Sequence, residues 1–246
     1  MYLNAVKPEN IDNIIDGMLA KPLSPTTAAY MYRVFSSALK DAAEDGIINK
    51  NPADFIKPPR KKKNTVKSHD PEVARVLIGK AKEPLKTAII IAYTTGMRRG
   101  EIMALNWEDI QGNKIRVRRS RSDQETKETK SGKPRTIIAF PVLLKHFDTI
   151  KREKGYVVVW PDGKSVRPGY ISNSFRTLVK KLGMETVRFH DLRHIHATEL
   201  LIANVHPSIV QERLGHSSIS ITLDLYSHVL PNIQEGVLRN FNIEID

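Results

Sequence analysis

The chain has 246 residues, 40% of them hydrophobic, so it is long and apolar enough to bury a core, which argues against wholesale disorder. Lysine and arginine number 39 against 27 aspartates and glutamates, and this net charge of +12 favours a polyanionic partner such as nucleic acid. Because the chain has no cysteine, disulfides, thiol catalysis and cysteine-ligated metal sites are excluded.

Two amphipathic helices are predicted in the first third of the chain. Apolar residues recur there at helical spacing in two stripes. The stripes are Ile11, Ile14, Ile15, Met18 and Leu19, then Met31, Val34, Phe35, Ala38, Leu39 and Ala42. Ser24 followed by Pro25 is a typical helix start, and Gly46 is expected to end the second helix. We therefore predict a helical domain over residues 1–56.

A basic segment follows this domain. Residues 57–67 contain six cations, no anion and two prolines, a composition typical of an extended, solvated connector. The segment is either a plain linker or a strand of chain that lies against phosphates. In the second case its DNA-binding residues are expected to be Arg60, Lys61, Lys62 and Lys63.

The rest of the chain, residues 68–246, is predicted to be mainly helical with a small antiparallel sheet. Asp70 and Pro71 open one helix, and Gly96 ends the next. Alternating segments at Lys114 to Arg118 and Arg135 to Ala139 predict one hairpin. Its turn signal, residues 130–134, gives this hairpin a cationic tip.

Helical patterns return after the hairpin and continue to the end of the chain. One helix is predicted before Gly183, another around Thr222 to Val229, and a third in the tail, residues 231–246. The longest strongly apolar run, Ala88 to Tyr93, is far shorter than a bilayer span, and residues 1–20 lack the pattern of a secretion signal. We expect a soluble, cytoplasmic protein with no membrane partner.

Several short stretches could carry chemistry, although each has an ordinary structural explanation when taken alone. Arg98 follows the break at Gly96 and could offer planar, permanently charged donors to a phosphate, with Glu101 orienting a neighbour. Lys130 could deliver a proton from a mobile turn, or it could simply aid solubility. His190 and Arg193 are three residues apart, so on a helix they share a face and can grip one anion.

A metal site is the rival explanation for the histidine-rich stretch. His190 and His194 are one helical turn apart, as zinc ligands often are. However, Asp191 breaks the HExxH pattern, and no cysteine can complete a site. We predict no metal. His196 receives no role and is expected to be packed or exposed to solvent.

Near the end of the chain, His216 follows Leu214 and Gly215, and Tyr226 lies ten residues later. Taken in order, all these stretches resemble the motifs of the tyrosine recombinases, also called phage integrases. The resemblance spans residues 68–230 as a catalytic domain and, more loosely, residues 1–56 as part of the family's helical core-binding domain. Agreement of five separated blocks by chance is far less probable than agreement of one.

The resemblance implies a fold and a set of functional residues. The fold is mainly α with a small antiparallel sheet (α+β), that of DNA breaking-rejoining enzymes, preceded by a partial core-binding domain. The family's catalytic set contains an arginine in T-G-x-R, a hairpin lysine, H-x-x-R, the histidine of L-G-H and a tyrosine. In this sequence these are Arg98, Lys130, His190, Arg193, His216 and Tyr226, with Glu101 at the family's acidic position.

By the same resemblance, Tyr226 is the implied nucleophile of a site-specific recombinase carried by a phage or mobile element. It attacks double-stranded DNA at an attachment or recombination site and forms a 3′-phosphotyrosyl intermediate. No metal, ATP or other cofactor is implied. The expected assembly is a homotetramer on DNA, helped by an accessory DNA-bending protein or excisionase. The tail, residues 231–246, is the candidate segment for docking on a neighbouring subunit.

The resemblance also marks a departure and leaves other functions open. Many family members carry an arm-binding domain and a longer core-binding domain, so residues 1–56 are expected to form only part of the clamp around DNA. The alternatives are a DNA-binding regulator or remnant without turnover, a type IB-like topoisomerase and, least favoured, a metal-dependent nuclease.

Overall fold

The computed structural model divides into two units, Met1–Thr65 and Val66–Asp246. It describes residues 2–21, 23–59, 70–128, 134–223 and 225. Some of the predicted functional residues therefore lie outside the described residues. These are Arg60, Lys61, Lys62, Lys63, Lys130, Tyr226 and the whole tail, 231–246.

The first unit is built on two helices, α1 (Pro8–Leu19) and α2 (Pro25–Glu44), followed by a short 3-10 turn (Pro52–Phe55). The predicted start of α2 is confirmed, because the Ser24 hydroxyl accepts a hydrogen bond from the Thr27 amide at 3.1 Å. Gly46 has a φ of 71° just beyond the end of α2.

A small apolar core joins these elements. It contains Ile11, Ile15, Ala28, Tyr32, Leu39, Ala42, Ile48, Ala53 and Ile56. The Tyr32 hydroxyl donates to the carbonyl of Ala53 at 2.8 Å, which ties α2 to the 3-10 turn. Ile14, Leu19 and Val34 of the predicted stripes stay exposed, because two helices and a turn cover only one side of each other.

The second unit is mainly helical, as predicted. Its helices are α3 (Pro71–Lys80), α4 (Leu85–Thr95), α5 (Arg99–Ala104), α6 (Pro141–Ile150), α7 (Pro168–Lys181), α8 (Asp191–Ile202) and α9 (Pro207–Leu214). Asp70 caps α3 by accepting from the Glu72 amide at 2.8 Å, and Gly96 ends α4 with a φ of 68°. Beyond α9, residues 219–223 and 225 are helical.

Helix α4 lies at the centre of this unit. Nine of its eleven residues are buried, and it packs against α3, α5, α6, α7 and α8. A helix that is apolar nearly all round is typical of such a central position. Since α4 ends at Gly96, the buried helix fixes the position of the residues that follow it, including Arg98.

The strands form two small antiparallel sheets. Strands β1 (Ile110–Gln111), β2 (Lys114–Val117) and β5 (Arg135–Ile138) make the first in the order β1, β2, β5, with Ile115 opposite Ile137. Strands β3 (Arg119–Arg121) and β4 (Thr126–Glu128) make the second.

The prediction of a single hairpin is therefore wrong, while its cationic tip lies outside the described residues except for Pro134. The two predicted strands do pair, as β2 and β5, but the chain between them forms a further hairpin that turns at Ser122 to Glu125. The sequence of β3 and β4 contains no apolar alternation, and β4 is exposed along its length. These strands are held by backbone pairing, which leaves no hydrophobic signal.

A small apolar cluster near the end of the described chain holds the last helical residues in place. Leu225 is buried with Ala197, Leu201, Val210 and Leu214, which belong to α8 and α9. No helix in the described part of the chain is both long and apolar enough to cross a membrane.

Candidate active site

The side chain of Arg98 lies where α4 gives way to α5. Its Nη1 donates to Glu101 Oε1 at 3.0 Å, and its backbone amide donates to Glu101 Oε2 at 2.8 Å. Its Nη2 donates to the carbonyl of Gly215 at 2.9 Å, more than a hundred residues away along the chain. Because 44% of its side chain is still exposed, Arg98 can also meet a ligand from solvent.

Gly96 makes the approach of these segments possible. A Cβ atom at this position would lie 2.3 Å from Leu214 Cδ2 and 2.8 Å from His196 Cδ2. Its φ of 68° is also costly for a residue with a side chain. The glycine therefore allows the end of α4 to touch both α8 and α9.

Arg193, on α8, is buried beside the same turn, with 2% of the residue exposed. Its Nη1 donates to the carbonyl of Gly96 at 2.7 Å. Its Nη2 is buried and has no hydrogen-bond partner within the described part of the chain. Burial, and next the charge of Arg98, lower the pKa of the Arg193 guanidinium. An unpaired buried donor is costly, so this nitrogen favours an anionic oxygen as its partner.

Two histidines adjoin these arginines. His190 lies just before α8 and stacks edge to face on His194, with ring centroids 4.9 Å apart. His216 follows Gly215, and its Nδ1 shares a hydrogen bond of 2.9 Å with the hydroxyl of Thr222, which is fully buried.

Both histidines are neutral at physiological pH. Burial, and next the charges of the neighbouring His194 and Arg193, together lower the pKa of His190 to about 4. Burial, and next the charges of Arg193 and Arg98, likewise lower the pKa of His216 to about 4. Neutral imidazoles keep one donor and one acceptor nitrogen each, which suits proton transfer and hydrogen bonding to a phosphate.

Glu101 is the anion beneath this group of cations, and 3% of the residue is exposed. Burial alone would raise its pKa, but hydrogen bonds and charge from Arg135 and Arg98 outweigh burial and lower it. Arg135 holds the carboxylate through two hydrogen bonds, Nη1 to Oε1 at 3.0 Å and Nη2 to Oε2 at 2.7 Å. Arg135 has no signal in the sequence, because it is 34 residues from Glu101 and no local spacing links them.

Arg213 is a second arginine whose role has no signal in the sequence. It donates to His196 Nε2 at 3.0 Å and to the carbonyls of Ile138 and Thr94, and it stacks on Phe140. His196 is therefore packed in the interior, one of the two environments expected for it. Arg213 ties β5 and α4 to α9 close to the site.

Burial, and next the charge of Arg213, lower the pKa of His196 to about 3, which predicts a pH-dependent stability. In the unfolded chain a histidine titrates near pH 6.5, so between pH 6.5 and 3 the unfolded state binds more protons than the folded state. The free energy of unfolding should then fall as pH drops below 6.5, by about 1.4 kcal/mol per pH unit from this histidine. Urea unfolding at several pH values measures the slope.

The variant His196→Gln keeps an oxygen acceptor for Arg213 but removes the titrating ring. Its unfolding free energy should depend less steeply on pH than that of wild type between pH 6.5 and 5. Equal slopes in the two proteins would contradict the assignment.

The structure thus brings together five of the predicted residues: Arg98, Glu101, His190, Arg193 and His216. Lys130 and Tyr226 lie outside the described residues. In the part of the chain that the structure describes, no three His, Asp or Glu side chains form a group that could hold a metal ion.

Known proteins of one family are similar to this chain. The model of the phage integrase family matches residues 68–232. A "Tyrosine recombinase XerC-like" protein of Caldanaerobacter subterraneus is 23% identical, over 98% of this chain and 72% of that protein. The integrase of Salmonella phage P22 is 31% identical, over 86% of this chain and 56% of that protein. The chain therefore spans only part of the length of these relatives.

Solved structures share the fold. The Tn1549 transposon integrase in complex with a circular intermediate DNA has a TM-score of 0.79 at 23% identity, covering 91% of this chain and 82% of that one. A lambda integrase tetramer bound to a Holliday junction has a TM-score of 0.69 at 18% identity, covering 87% and 65%. Because the family model matches more than half of its length, the chain belongs to the phage integrase family of tyrosine recombinases, enzymes that cleave and rejoin DNA.

Proposed function

We propose that this protein is a site-specific recombinase that cleaves and rejoins double-stranded DNA through a 3′-phosphotyrosyl intermediate. The observation that carries the proposal is the buried, unpartnered Nη2 of Arg193 beside the half-exposed guanidinium of Arg98. Two cations and two neutral histidines lie close together there. A phosphodiester supplies the anionic oxygens that such a group of donors binds.

The covalent step uses Tyr226 as nucleophile. Its hydroxyl gives its proton to a base, the role proposed for His190, and its oxygen attacks the phosphorus. The bond from phosphorus to the 5′ oxygen breaks, and the 3′ end stays attached to the enzyme. Lys130 gives a proton to the departing 5′ oxygen. A 5′-hydroxyl from another strand then attacks the phosphotyrosine and releases Tyr226, so rejoining needs no ATP.

The electrostatic environment makes this step feasible. Forming a phenolate from a phenol of pKa 10 costs about 4 kcal/mol at pH 7, and nearby cations must offset that cost. Arg98 and Arg193 bind the non-bridging oxygens and stabilise the charge that builds up in the transition state, a role that metal ions fill in many phosphoryl transfers. His190 acts as acid, base or donor, and His216 hydrogen-bonds the phosphate.

The remaining assignments concern the DNA and the assembly. We assign Arg60, Lys61, Lys62 and Lys63 to phosphate contacts, with residues 1–56 as part of a core-binding domain, 57–67 as a linker and 68–246 as the catalytic domain. Two copies bind each recombination site, giving a homotetramer on two DNA duplexes. Residues 231–246 dock on a neighbouring subunit, and an accessory DNA-bending protein or excisionase is a further partner. The tetrameric lambda integrase on a Holliday junction supports the proposed tetramer.

A trapping experiment tests the proposal. In a nicked suicide substrate, the short strand that carries the freed 5′-hydroxyl diffuses away after cleavage. Religation is then impossible, so the covalent complex accumulates and can be resolved on a denaturing gel. We expect protein attached to the 3′ end, with and without EDTA, and peptide mapping should place the attachment at Tyr226. A protein that binds the substrate but forms no adduct would be the regulator or remnant instead. An adduct without strand exchange between two duplexes would support the topoisomerase alternative.

A further inference from the structure

Arg135 contacts several parts of the active site from within the protein. Only 10% of its side chain is exposed, and Val117 on β2 pairs with it in the sheet. All three of its nitrogens are engaged within the protein, two by Glu101 and one, Nε, by the carbonyl of Arg213 at 2.9 Å. It is therefore placed to orient other groups.

The first group that Arg135 orients is Arg98. The two guanidinium groups share Glu101, and both donate to Oε1 at 3.0 Å. Since Arg135 already binds both carboxylate oxygens, the negative charge of Glu101 is offset before Arg98 contributes. Arg98 thus keeps positive charge available for a phosphate. Without Arg135, Arg98 alone would have to offset the charge of Glu101, and less of its positive charge would be available to a phosphate.

The second group is the turn that carries His216. Arg135 binds the carbonyl of Arg213, and its guanidinium lies against Gly215, where a Cβ atom would be only 3.0 Å from Nη1. Arg98 binds the carbonyl of Gly215 from the other side. The backbone just before His216 is thus fixed by two arginines that meet on one carboxylate.

We propose that Arg135 is a positioning residue for DNA cleavage, acting through Glu101 and the turn at Gly215 to aim Arg98 and His216 at the phosphate. This inference rests on the proposed function. Arg135 itself does not touch the DNA.

The variant Arg135→Lys tests the inference, because lysine keeps the charge but cannot form the two parallel hydrogen bonds to Glu101. At saturating protein on the suicide substrate, we expect the rate of adduct formation to fall about a hundredfold, as misplacement of catalytic groups by about 1 Å can cost that much. The Kd for DNA should stay unchanged, since Arg135 makes no phosphate contact. Thermal melting establishes that the variant is folded at the assay temperature.

Two further variants distinguish positioning from a loss of stability. If Arg135 acts through Glu101, the double variant Arg135→Lys, Glu101→Gln should be no slower than the slower single variant. Arg118→Lys is the matched control, because Asp109 is likewise buried and shared by two arginines, with Arg118 Nε at 2.6 Å and Arg119 Nη2 at 2.7 Å. Arg118→Lys should lower the melting temperature without slowing adduct formation.

The outcomes separate this inference from the proposed function. A wild-type rate in Arg135→Lys, additive losses in the double variant, or an equal slowing in Arg118→Lys would overturn the role of Arg135 and leave the recombinase assignment intact. A wild-type protein that binds the substrate and forms no adduct would overturn the proposed function, and the role of Arg135 with it.

Discussion

Replacing Tyr226 with phenylalanine should abolish the covalent protein–DNA adduct and leave the Kd for DNA unchanged. The substitution removes the hydroxyl that attacks the phosphorus, and no other residue proposed for the site can replace it as the nucleophile. The cations that bind the phosphate remain in place, so affinity, which depends on phosphate contacts, is retained. The measurement is the yield of adduct on the suicide substrate, with a binding titration on the same DNA.

The matched control is Tyr170→Phe. Tyr170 lies on α7, is 40% exposed and stacks on Trp160 with ring centroids 4.6 Å apart. That variant should form adduct at the wild-type rate. An adduct that persists in Tyr226→Phe and maps to another residue would contradict the assignment of the nucleophile.

Replacing Arg193 should have the second largest effect. Arg193→Lys is expected to slow adduct formation by about 10²- to 10³-fold, the loss typical of removing one donor from a preorganised anion site. Lysine keeps the charge but has a single nitrogen, so it cannot bind the Gly96 carbonyl and a phosphate oxygen in the fork geometry of arginine. The measurement is the single-turnover rate at saturating protein.

Arg75→Ala serves as the control for charge. It removes one cation from α3, where Arg75 pairs with Glu72 and 64% of its side chain is exposed. Pairs of this kind contribute little, so the rate should not change. If Arg193→Lys cleaved as fast as wild type, the buried unpartnered nitrogen would have no part in the chemistry.

Helix ends and motif residues were predictable from the sequence because their signals are local. Asp70, Ser24 and Gly96 act on backbone groups within a few residues, so each can be recognised without knowing the fold. The blocks that contain Arg98, His190 with Arg193, and His216 were recognisable as an ordered set. Their convergence follows from the end of α4 meeting α8 and α9.

Long-range polar contacts were not predictable. Arg135 and Glu101 are joined only by the fold, and so are Arg213 and the carbonyl of Thr94. The sequence around an arginine does not show whether its side chain will be buried in an ion pair or exposed to solvent. The hairpin β3–β4 was not predictable for a related reason, since both strands are made of polar residues and have no apolar periodicity.

The crowding around Gly96 couples three positions that are far apart in the chain. Because even a methyl group there would collide with Leu214 and His196, position 96 cannot gain a side chain unless both neighbours shrink or move. Libraries that randomise these three codons together should return glycine at 96 in most selected variants, because its φ of 68° is costly for other residues, and small residues at 214 in the remainder. Engineering of the specificity or temperature range of this enzyme should therefore treat the three positions as one unit of selection.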